Sequence, residues 1–103
     1  MTRDEALELI DRMPYITVIK APNDKIRTEF YKTAVESGEY VEWIRVVKSY
    51  YLRTHNGSGK RLTTSKAEAD LAAKAKHQLE AELAKALDIP EEEVEGFIND
   101  YLD

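Results

Sequence analysis

The chain predicts an all-α fold, a compact bundle of about five helices forming one domain over residues 1-103. Three observations carry this expectation. Apolar residues recur at helical spacing in five separate segments. Each segment is fronted or closed by a capping residue, a proline or a glycine. No two runs alternate polar and apolar residues across a turn, as a strand pair requires. At 103 residues, 43% of them hydrophobic, the chain is long enough for one core, too short for two and too apolar for a disordered segment.

Thr2 followed three residues later by Glu5 has the form of a capping box, in which side chains and backbone exchange hydrogen bonds at a helix start. Ala6, Leu7, Leu9, Ile10 and Met13 then make an apolar stripe that Pro14 stops, placing helix one at about 3-13. Residues 14-22 are rich in β-branched side chains between two prolines and read as an extended connector. Asn23 caps a second helix, about 24-36. Its row Ile26, Phe30, Ala34 runs to Ser37-Gly38, where glycine supplies the left-handed conformation that ends helices.

The third helix, about 39-54, carries two apolar rows: Tyr40, Ile44, Val47, Tyr51 and Trp43, Val46, Val47, Tyr50. So wide an apolar face is expected of the central helix. Asn56-Gly57-Ser58-Gly59 is the glycine-dense loop. Ser65 with Glu68 forms another capping box and opens the longest helix, about 66-87, with Leu71, Ala75, Leu79, Leu83 and Leu87 on one face. Pro90 suits a first helical position, and Glu91, Glu92 and Glu93 favour the positive end of a helix dipole. Val94, Phe97, Ile98, Tyr101 and Leu102 then give helix five its buried stripe.

Composition removes several function classes. Without cysteine there are no disulfides, thiolate metal sites or cysteine nucleophile, which fits a reducing compartment. No apolar run approaches a membrane span, and the acidic N-terminus lacks the basic-then-apolar order of a signal peptide, so a cytoplasmic location and no membrane partner are expected. His55 and His77 have no Glu-x-x-His spacing for a metal site, and His77 reads as a helix-surface residue; no cofactor is expected. Gly57-Ser58-Gly59-Lys60 superficially has the form of a phosphate loop. However, Arg61 stands where that loop needs Ser or Thr, and a helix precedes it instead of a strand. The carboxylates fall at helix starts and on polar faces, which leaves no acid-base pair and points away from an enzyme.

Charge is segregated. From Trp43 to Ala67 the chain runs twenty-five residues without Asp or Glu while carrying Arg45, Lys48, Arg53, Lys60, Arg61 and Lys66, in a protein of net charge -5. Outside that window nine basic residues face all twenty acidic ones, so a polyanion has one favourable face. Lys60, Arg61, Ser65 and Lys66 offer cations, backbone amides and a helix dipole to one phosphate. Trp43 either stacks on a base or packs in the core, and its apolar neighbours Val46, Val47 and Tyr50 favour the core. Tyr50 and Tyr51, about 100° apart on the helix, leave one of the pair at the surface.

The strings Glu8-Leu9-Ile10-Asp11-Arg12-Met13-Pro14, Ser37-Gly38-Glu39, Val46-Val47-Lys48-Ser49-Tyr50-Tyr51-Leu52-Arg53, Lys60-Arg61-Leu62-Thr63 and Glu82-Leu83-Ala84 with Ile89-Pro90 resemble, in order and spacing, the CarD-like bacterial transcription regulators. The resemblance covers the C-terminal helical domain of that family. It implies a partner domain, β-rich and N-terminal, that docks on RNA polymerase and that nothing before helix one here provides. It also implies a helical half that contacts promoter DNA at the upstream edge of the melted bubble and supports the open complex.

By the same resemblance Lys25 and Arg27 match a basic patch, and Lys48, Arg53, Lys60 and Arg61 match recurrent basic positions. Many relatives wedge a tryptophan into the minor groove near the start of helix two. Here Lys20 aligns with it, with Asp24 as the other candidate, and a lysine neutralises phosphate without blocking base collapse. The expected DNA-binding residues are therefore Lys20, Lys25, Arg27, Lys48, Arg53, Lys60, Arg61 and Lys66. The alternative is a helical protein-interaction module using the exposed parts of helices one and five. A nucleotide enzyme is a third, weaker class.

Overall fold

The computed structural model describes residues 1–55 and 65–103. The described residues form five α-helices and no strand: α1 (Arg3–Arg12), α2 (Asp24–Glu36), α3 (Tyr40–Thr54), α4 (Lys66–Leu87) and α5 (Val94–Leu102). Short 3-10 turns at Met13–Tyr15 and Glu91–Glu93 follow α1 and precede α5. None of the described helices is long and apolar enough to cross a membrane.

The caps explain the boundaries. The Thr2 hydroxyl accepts from the Glu5 amide at 3.1 Å while Glu5 accepts from the Thr2 amide at 3.0 Å, so the box at α1 is complete. Those two hydrogen bonds with Thr2 hold the Glu5 carboxyl below its ordinary range. Asn23 accepts from the Ile26 amide at 2.9 Å and starts α2. Gly38 at φ +73° follows its end. α4 ends on Asp88, whose amide donates to the Ala84 carbonyl and whose left-handed φ of 57° turns the Ile89 amide back to the same carbonyl at 3.1 Å.

Three expectations change at element level. Pro14 lies inside the 3-10 turn at the end of α1. Pro90 precedes the 3-10 turn of the three glutamates, and α5 starts only at Val94. At Ser65 only half a box forms: the hydroxyl accepts from the Glu68 amide at 3.1 Å, but the Glu68 carboxylate turns inward.

The central helix is α4, not α3. Its 22 residues pack against α1, α2, α3 and α5. Ala72, Ala75 and Ala84 are buried along it, and small side chains let neighbouring helices approach on several sides. Ile10, Tyr31, Val46, Leu83, Leu87 and Val94 fill the centre. Trp43 belongs to this core, and its indole N–H donates to the Val35 carbonyl at 3.1 Å. Phe30, by contrast, is 45% exposed despite lying in the apolar row of α2. Tyr51, Tyr101 and Leu102, at the ends of the stripes of α3 and α5, are also exposed.

Candidate nucleic-acid interface

Three helix ends meet at one pole of the bundle: the start of α2, the end of α3 and the start of α4. Arg53 joins them. Its Nε donates to Glu68 Oε2 at 2.8 Å, and its terminal nitrogen lies 3.5 Å from Asp24 Oδ1. Arg27 reaches the same Asp24 oxygen at 2.6 Å. Beneath them the Tyr31 hydroxyl donates to Glu68 Oε2 at 3.2 Å. Glu68 is 1% exposed. Burial, followed by the charge of Glu68, pushes the Tyr31 hydroxyl well above the ordinary tyrosine range.

Around this cluster the sequence-predicted cations divide. Lys25, the second residue of α2, and Lys66, the first of α4, are exposed and have no hydrogen-bond or ion-pair partner among the described residues. Lys20 is likewise exposed, three residues before the cap of α2. Arg27 and Arg53 are brought to the same pole but are engaged by carboxylates. Both N-termini expose the positive ends of their dipoles there, which favours anions.

Lys48 is not brought there. Its Nζ donates to the carbonyls of Met13, Pro14 and Ile16 at 2.9, 3.2 and 2.7 Å, closing the turn after α1. Lys60, Arg61 and the Asn56-Gly57-Ser58-Gly59 loop lie outside the described residues.

The acid-free window is thus less segregated in space than in sequence. Arg45 pairs with Glu42 at 3.3 Å, just before the window, and Arg53 with Glu68, just after it. Sequence reasoning did not bring Asp24, Tyr31 and Glu68 together with Arg27 and Arg53. The Arg53-Glu68 contact joins two helices through residues fifteen positions apart, and no within-helix spacing signals it.

At the end of α3, Tyr51 is the exposed member of the tyrosine pair and stacks on His55 with ring centroids 4.2 Å apart. His77 is exposed and lies 3.7 Å from Glu91. Among the described residues, no group of three His or acidic side chains is placed to hold a metal ion. A mostly apolar groove of about 720 Å³ runs between α3, α4 and α5, lined by Ile44, Val47, Leu79, Ile98 and Leu102 among others. Burial raises the carboxyl of Glu80 at its edge.

No curated protein and no solved structure matches the chain. The family model described as CarD, C-terminal domain, matches residues 8–99. The chain therefore belongs to the CarD C-terminal-domain family, whose members are transcription-regulator domains and not enzymes.

Proposed function

We propose that this domain binds promoter DNA at the upstream edge of the transcription bubble and supports the RNA polymerase open complex, mainly through phosphate contacts. Lys20, Lys25, Lys60, Arg61 and Lys66 make those contacts, with Arg27 and Arg53 behind them, while Lys48 serves the fold. A polymerase-docking domain supplies the tether. One observation carries the reading: two helix N-termini and two exposed lysines, without a partner among the described residues, share a pole with two arginines. Phosphate contact positions a protein on the duplex without reading its sequence.

Fork-junction DNA titrated by fluorescence anisotropy over a series of salt concentrations tests this. Removal of one phosphate-neutralising cation should flatten the log K against log salt slope by about 0.9. Lys60→Glu with Arg61→Glu, and separately Lys25→Glu with Lys66→Glu, should each weaken binding and flatten the slope. Absence of binding at low salt, or indifference to both pairs of changes, rejects the face.

The apolar groove favours a second reading, a protein-interaction module that includes α5. It predicts that polymerase is retained by this domain alone while DNA titrations stay flat.

A further inference from the structure

Arg27 and Arg53 converge on a single carboxylate oxygen, Asp24 Oδ1, at 2.6 and 3.5 Å. The side chains of the two arginines are only 14% and 20% exposed, whereas that of Asp24 is 76% exposed. The cations are set into the fold and the anion they share is outermost. From below, the buried Glu68 holds Arg53, so the four charges sum to zero and a negative group faces solvent. An exposed carboxylate of this kind contributes little to stability. It does lower the potential at the pole where Lys25 and Lys66 stand. One oxygen shared by two guanidinium groups has the charge and placement of a phosphodiester oxygen.

We propose that Asp24 is an intramolecular stand-in for a DNA phosphate. In the free domain its carboxylate fills the anion site between Arg27 and Arg53. On binding, a backbone phosphate takes that place and the Asp24 side chain rotates into water. The device weakens binding to any duplex and reserves the arginines for DNA already held by the surrounding lysines. It rests on the DNA-binding reading above and adds to it a built-in competitor.

The test is Asp24→Asn, titrated against the same labelled fork-junction DNA in a sodium chloride series. The substitution retains the shape of the side chain but not the charge. Binding at low salt should tighten roughly three- to ten-fold, and the salt slope should steepen by up to about 0.9 as one more phosphate engages. Asp88→Asn is the control. It changes net charge equally, tolerates the left-handed backbone, and lies about 30 Å from Glu68 along α4 at 1.5 Å per residue. It should leave affinity within about two-fold of the original, since a charge that far off is screened.

Equal binding by the original and the Asp24→Asn domains overturns the competitor alone, as does equal tightening by both asparagine variants. Binding by neither the original nor the Asp24→Asn domain overturns the DNA reading and this inference with it. Binding that appears only with Asp24→Asn supports both.

Discussion

Replacing Arg53 with Met removes the ion-pair partner of Glu68, which is 1% exposed, and leaves the Tyr31 hydroxyl as its side-chain contact among the described residues. Removing one partner of a buried ion pair costs about 3–5 kcal/mol, mostly because the remaining charge is uncompensated. Arg53 is one-fifth exposed and Tyr31 still donates, which places the expected loss near the lower end, about 3 kcal/mol. For a domain of this size each kcal/mol moves the midpoint by about 4–8 °C, so thermal unfolding followed by circular dichroism should shift down by roughly 12–24 °C. Adding Glu68→Leu to Arg53→Met removes the orphaned charge. It should recover at least half of the loss, a coupling of about 1.5 kcal/mol or more in a double-mutant cycle. A loss under about 1 kcal/mol, or no recovery in the double variant, would refute the reasoning that Glu68 needs Arg53.

Lys48→Met should destabilise by about 1–2 kcal/mol through the three carbonyls it leaves behind. It should also change the DNA salt slope less than Lys66→Glu does, as parallel urea and anisotropy titrations would show. Because the Tyr31 hydroxyl is raised in the fold, the folded state keeps a proton that the unfolded chain loses above about pH 10. Stability should be flat on this account below about pH 10 and fall above it, and Tyr31→Phe should abolish that alkaline component in urea melts at several pH values. Gly38→Ala meets nothing within 4 Å but must adopt φ +73°, so it should cost about 1 kcal/mol from backbone strain alone, measured as a lowered urea midpoint. A much larger loss would mean that side-chain packing, not the dihedral, is at stake.

Helix starts were legible in the chain because capping is local chemistry. Thr2, Asn23 and Ser65 each accept from an amide three residues on, and that spacing can be read from a string. What a side chain does once the helices pack cannot be read this way. Glu68 sat at a capping-box position and instead serves Arg53, because its carboxylate is buried and Arg53 brings a cation to it at 2.8 Å. Phe30 kept its place in an apolar row although the row is wider than the face α2 turns to α4. Lys48 carried a charge that suited a polyanion, but the connector folded its carbonyls onto it first. At the candidate site the cations were visible and their carboxylate partners were not, since most of those partners come from other helices.

Residues 16–23 are themselves neither helix nor strand, yet α3 holds them as a sheet edge would. The Ile19 amide donates to the Ser49 hydroxyl at 2.7 Å, Arg45 donates to the Thr17 carbonyl at 3.2 Å, and Lys48 grips Ile16. Positions 45, 48 and 49 recur on one helical face, so a single turn of helix supplies the whole clasp. Ser49 is 4% exposed, and the Ile19 amide exchanges with solvent only when that turn lets go. In hydrogen exchange this stretch should therefore report the opening of α3, and α1 is tethered to the rest of the bundle by side chains of a helix that begins nearly thirty residues after it ends.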